Sequence, residues 1–178
     1  MRVFIAIELP QVIKDYLEDT ILNVEKDNTR TRIKWVEANN LHLTLAFIEN
    51  IGPNKLTALQ KQLTKVKIPE NLILTLGQLG GFPETANPRV IKVGLNDNEE
   101  KIDILYSQIQ KILHKLDLPK DSRPYNAHIT LGRIKDHNAR LRLQQPIEKQ
   151  YFTVKHFNLI KSQLLATGPI YTNLQTYA

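Results

Sequence analysis

Two short phrases in the chain repeat one pattern: His42-Leu43-Thr44-Leu45 within NNLHLTLAF, and His128-Ile129-Thr130-Leu131 within YNAHITLGR. On an extended strand, side chains alternate between faces. His42 therefore shares a face with Thr44, and His128 with Thr130, while the aliphatic residues point the other way. Imidazole titrates near neutrality and can give or take a proton, and a hydroxyl can donate to an oxygen on which negative charge is building. Two such pairs around one phosphate would suffice for phosphodiester chemistry, one histidine activating water and the other protonating the departing oxygen. Symmetry alone leaves the two roles exchangeable.

A metal site is the competing chemistry. The chain has no cysteine, and neither motif carries a His-Glu-x-x-His pattern or another ligand at i+4, so no metal and no cofactor is expected. Five residues beyond each histidine stand Phe47 and Arg133. A ring and a guanidinium facing each other across a cleft would clamp a nucleobase, and Arg133 would alternatively reach the phosphate. Strict alternation turns both away from their histidines, so the expectation needs a bulge, which Gly132 would permit in the second strand. Arg123 is a further candidate for phosphate. His114, His137 and His156 lack a threonine two places on and are read as structural or exposed. Gly80-Gly81-Phe82-Pro83 is no phosphate loop, since the Gly-Lys-Ser/Thr of the Walker pattern is absent; Phe82 is instead a candidate for lining the cleft.

These residues need strands to carry them. Residues 2–8 read as a strand, and Pro10 opens an amphipathic helix through Val12, Ile13, Leu17, Ile21 and Val24. Strands follow near 32–36 and 41–48, then a helix through Leu56, Leu59, Leu63 and Val66. Residues 71–79 and 88–95 read as strands flanking a loop at 80–87, and Ile102 to Leu116 mark a long helix. The second motif strand spans about 126–134, one more strand is expected over 151–165, and IYTNLQTYA supplies a last one. The motifs lie 86 residues apart, near half the chain, each after a helix and an extended segment. This points to a duplication whose pseudo-twofold axis carries His42 onto His128.

With 178 residues, 42% of them hydrophobic, the chain can bury a core as one two-lobed domain over 1–178, with one motif per lobe. No flexible linker interrupts it. Lys and Arg exceed Asp and Glu by 24 to 18, which favours a polyanionic partner such as RNA. The N-terminus lacks the pattern of a signal peptide and no stretch reaches the length of a membrane span, so a cytoplasmic protein with no membrane association is expected.

Together these features resemble the two-histidine phosphoesterases, and within them the RNA 2′,3′-cyclic phosphodiesterases, also called 2′-5′ RNA ligase-like proteins. The resemblance runs through RVFIAIELP, KWVEANNLHLTLAF, LGGFPETANPRVIKVG, RPYNAHITLGRIK and GPIYTNL, nearly the whole chain. It implies an α+β, bilobal duplicated fold, with two mainly antiparallel β-sheets lining a central cleft and helices outside. It also implies metal-independent hydrolysis of RNA 2′,3′-cyclic phosphate ends to a 2′-phosphate by a monomer, with His42 as proton donor and His128 as proton acceptor. Some members join tRNA halves through a 2′-5′ linkage, which the same histidines would serve in reverse. Other readings keep the cleft but change what it receives or does, such as hydrolysis of a cyclic phosphate on ADP-ribose or of a 2′-5′ oligonucleotide, or RNA-end binding without turnover.

Overall fold

The computed structural model describes residues 1–85, 87–97, 99–119, 124–136, 140–166 and 168–178. Arg123 and His137 lie outside them. Among the described residues nine strands and three α-helices are formed in the order β1 (Val3–Glu8), α1 (Gln11–Asp27), β2 (Ile33–Trp35), β3 (His42–Ile48), α2 (Pro53–Leu63), β4 (Ile73–Phe82), β5 (Val90–Asn96), α3 (Lys101–Lys115), β6 (His128–Ile134), β7 (Tyr151–Thr153), β8 (Phe157–Leu165) and β9 (Gly168–Tyr177). The strands pair antiparallel, and the sheet order is β7-β4-β5-β6-β3-β1-β8-β9, with β2 on β6.

The two sheets expected from the sequence are the halves of this one sheet. They meet where β3 and β6 pair at Leu43 and Ile129. Beyond that contact β3 leaves the edge of β6, and β2 takes its place through Ile33–Ile134, Lys34–Arg133 and Trp35–Gly132. Each half repeats a strand, a helix and a motif strand: β1, α1 and β3 in the first, β5, α3 and β6 in the second.

Alternation sorts the sheet into two faces. Val3, Ile5, Ile7, Leu43, Leu45, Ile91, Val93, Leu95, Ile129 and Leu131 are buried in one cluster with Ile13, Leu17, Ile21 and Val24 of α1, Leu59 and Leu63 of α2, and Leu105, Ile109 and Leu113 of α3. The three helices thus cover one face and leave the motif histidines on the other. Val12, which fits the helical pattern of the sequence, is exposed. Truncating any one of the buried leucines to alanine costs about 2–5 kcal/mol. Helix starts follow local chemistry: Pro53 sits in the first turn of α2, where its missing N–H is no loss, and Asp97 accepts from the Ile102 N–H at 2.7 Å in the first turn of α3. Among the described residues no helix is long and apolar enough to cross a membrane.

Two expectations need correction. The strand read over 151–165 is two strands at opposite ends of the sheet, β7 beside β4 and β8 beside β1, separated at the exposed Lys155 and His156. Burial alternates through β7, breaks at this exposed pair, and then covers both faces of β8 from Phe157 to Ile160. The loop read at 80–87 is shorter: Gly80, Gly81 and Phe82 continue β4 opposite Lys92, Ile91 and Val90. Glycine here marks a close approach, since a Cβ on Gly81 would meet Pro88 Cβ at 2.4 Å.

Candidate active site

The motif strands are superposable in detail. Both β3 and β6 run partly buried, buried, partly buried, buried, buried, exposed, buried from the histidine onward. In each, the ladder to the neighbouring strand shifts after the threonine. Ala6 pairs with Thr44 but Ile5 with Ala46, and Lys92 pairs with Thr130 but Ile91 with Gly132. Leu45 and Leu131 are the extra residues of two matching bulges. The bulges reverse the alternation, so Phe47 and Arg133 emerge on the exposed face of the sheet beside the histidines. The bulge that the sequence reading required for both residues is present in both strands, at Leu45 and at Leu131 before Gly132.

The axis relating the motifs passes through the Leu43–Ile129 pair, because these residues occupy the same place in the two phrases. Antiparallel counting outward from that pair sets His42 beside Thr130 and Thr44 beside His128. The histidines lie on a diagonal across the seam, where residues of regular strands are about 7–8 Å apart and their Cβ atoms somewhat closer. Each imidazole is held from behind. His42 Nδ1 is 2.7 Å from the Asn40 carbonyl and His128 Nδ1 is 2.6 Å from the Asn126 carbonyl. A carbonyl only accepts, so each Nδ1 carries the hydrogen and each Nε2 is left without one. The Tyr125 hydroxyl crosses the seam to donate to the Thr44 carbonyl at 3.1 Å, and its ring stacks on Tyr106 at 4.0 Å.

The surroundings of the two histidines differ. His42 packs against Phe4 (4.8 Å between ring centroids) and meets the edge of Tyr171 (5.7 Å). Phe4, Ala6, Ile160 and Tyr171 form a small apolar floor beneath it. Burial pushes the His42 pKa down; the Asn40 carbonyl opposes that, Lys14 and His128 add to it, and Glu8 opposes it. A hollow of about 260 Å³ beside His42 is bounded by Glu8, Asn39, Tyr171 and Asn173. Burial also lowers the His128 pKa, against the pull of the Asn126 carbonyl, and here the nearby charges are the cations Lys92 and Arg133. Lys92 Nζ donates to Asn126 Oδ1 at 3.2 Å. A larger hollow of about 440 Å³, between β4 and residues 143–149, contains no motif residue.

The structure brings His42, Thr44, His128 and Thr130 together. It does not bring Phe47 and Arg133 face to face. Each lies four residues beyond the central pair, but antiparallel strands carry equal offsets in opposite directions, so roughly 20–25 Å of strand separates them. Arg133 points towards the His42 end, where its charge opposes the burial that raises the Tyr171 pKa. Phe47 lies at the His128 end, with the Arg2 guanidinium 5.6 Å above its ring. His114 and His156 are exposed and outside the cleft, as the sequence reading expects. Among the described residues no three His, Asp or Glu side chains gather as a metal site.

The model of the LigT-like phosphoesterase family matches residues 7–92 and again 93–171, one motif in each match. The chain belongs to the LigT-like phosphoesterases. The second match begins as many residues after the first as separate the two histidines, so the duplication seen in the strands is also that of the family. Among LigT-like relatives, the RNA 2′,3′-cyclic phosphodiesterase of Methanocaldococcus jannaschii is 32% identical over 96% of both chains. That of Archaeoglobus fulgidus is 29% identical over 99% of both. The crystal structure of Escherichia coli LigT complexed with 3′-AMP superposes with a TM-score of 0.84 at 26% identity, covering 99% of this chain and 97% of that one.

Sequence reasoning missed several residues of this LigT-like site. Asn40 and Asn126 act through main-chain carbonyls, which residue type does not reveal; the signal was an asparagine two places before each histidine. Phe4, Tyr171 and Lys92 come from distant strands that only the sheet order makes neighbours of the motifs.

Proposed function

We propose that this protein hydrolyses the 2′,3′-cyclic phosphate end of RNA to a 2′-phosphomonoester without a metal, at one site shared by the two halves of the chain. The observation that carries the reading is the pair of imidazoles on one face of the sheet at the β3–β6 seam, each braced at Nδ1 by the Asn40 or Asn126 carbonyl so that Nε2 is left for chemistry. In the proposed step His128 Nε2 takes a proton from water as its oxygen bonds to phosphorus. The bond from phosphorus to the 3′ oxygen breaks, and His42 Nε2 gives that oxygen its proton. The Thr44 and Thr130 hydroxyls donate to the non-bridging oxygens, where charge accumulates. The phosphate remains on the 2′ oxygen, and proton exchange with water resets the histidines.

The assignment of base and acid follows the family resemblance. Burial lowers the pKa of both rings, and the nearby charges act in the same sense at each: Lys14 and His128 against the weaker opposing pull of Glu8 at His42, Lys92 and Arg133 at His128. An anionic phosphate between the rings would favour a proton on one of them, and the acid is the ring that takes it. The names of the relatives, the basic charge of the chain and the cations at the cleft support RNA as substrate. An oligonucleotide ending in 2′,3′-cyclic phosphate, incubated with the protein in EDTA, is expected to give a 2′-phosphate end. Absence of that product, or full activity in His42→Ala, would sink the proposal.

A further inference from the structure

The two halves differ at several positions on the histidine face, and one of these lies directly beside a motif threonine. Opposite Thr44, β1 presents Ala6; opposite Thr130, β5 presents Lys92. Ala6 is buried under the apolar floor with Phe4 and Ile160, and no cation stands in its place. Lys92 and Thr130 are direct cross-strand neighbours on the same face, a placement in which Cβ atoms are about 4.5–5.5 Å apart. A four-carbon stem then carries the ammonium past the threonine hydroxyl. Its hydrogen-bond partner is the neutral Asn126 side chain at 3.2 Å, and among the described residues no carboxylate pairs with it. An ammonium has three donors, and partly buried it calls for more than one neutral acceptor.

We propose that Lys92 is a further substrate-binding residue, whose ammonium binds a non-bridging oxygen of the cyclic phosphate beside the Thr130 hydroxyl. The inference rests on the cyclic-phosphate reading given above. It makes the phosphate site one-sided: the second half of the sheet anchors the anion with Lys92 and Thr130, and the first half offers the aromatic wall of Phe4 and Tyr171. As water adds to phosphorus the charge on the non-bridging oxygens rises, so the contact strengthens in the transition state and affects kcat as well as KM.

Uridine 2′,3′-cyclic phosphate is the probe, because its single phosphate excludes contacts to the rest of an RNA chain. Lys92→Met is expected to lower kcat/KM by about 10- to 100-fold, the range for a lost hydrogen bond to a charged group. Lys92→Arg should restore most of it, which a misfolded variant would not do. The dependence of log(kcat/KM) on log salt should become shallower in Lys92→Met. Uridine 2′-monophosphate, titrated by calorimetry, should bind Lys92→Met at least about tenfold more weakly. Wild-type turnover and wild-type nucleotide affinity in Lys92→Met would overturn the inference and leave the hydrolytic reading standing. No turnover by the wild-type protein, with weakened nucleotide binding in Lys92→Met, would overturn the hydrolytic reading and leave Lys92 as a phosphate ligand.

Discussion

The two motif strands share a bulge, a burial pattern and a carbonyl brace behind the histidine, yet the ground beneath the histidines differs. His42 packs on Phe4 and Tyr171 and feels the charges of Lys14 and Glu8; His128 feels the cations Lys92 and Arg133. Backbone geometry has been kept twice while side-chain chemistry has diverged. Two-fold geometry offers two equivalent imidazoles, and it is their neighbours, not the motifs, that make them unlike.

The sharpest way to break this comparison is to remove each histidine in turn. His42→Ala and His128→Ala are each expected to lower kcat on a cyclic-phosphate end by about 10²–10⁴-fold. On a nitrophenyl phosphodiester, whose leaving group departs without a proton, His42→Ala should recover most of its activity and His128→Ala should not. The opposite pattern would exchange the two roles. Next in size are the hydroxyls. Thr44→Val and Thr130→Val should each cost about 10²-fold in kcat, as for other donors to a developing anion. The larger loss is expected at Thr130, which shares its oxygen with Lys92.

A smaller effect separates the bulges themselves. A Cβ on Gly132 would lie 2.7 Å from the Trp35 ring and 2.9 Å from Ile33, so Gly132→Ala should destabilise the fold by about 1–3 kcal/mol in urea unfolding. The matching position in β3 already holds Ala46, and Ala46→Gly should cost only about 0.5–1 kcal/mol. The smallest effect is on pH. With a cation removed, His128 protonates more easily and its pKa moves up towards the ordinary value, with burial and Arg133 still holding it down. As pH falls, the base is then lost sooner, and the acidic limb of kcat/KM in Lys92→Met should shift to higher pH. NMR titration of the His128 ring checks this directly.

Much of the site was legible because it is local. His42, Thr44, His128 and Thr130 announce themselves by a period-two phrase, and the duplication by their spacing. Phe47 and Arg133 were correctly matched as symmetry mates but wrongly faced, since spacing along a chain does not say that antiparallel strands carry mates to opposite ends. Residues 151–165 read as one strand because alternation reports burial of a face and not the identity of the neighbour. Lys92 carried no signal at all: a lysine in a strand reads as a solvated side chain until β5 is known to lie beside β6.

The Leu43–Ile129 contact has a consequence for how the spacing of the imidazoles can change. That spacing is set by the register of β3 on β6, and register moves in whole residues, about 3.3 Å at a time, with every single step exchanging the faces of the strand. The two imidazoles are thus spaced by strand register and not by the length of the surrounding connections, and the error open to this design is a one-residue slip that turns a histidine into the core.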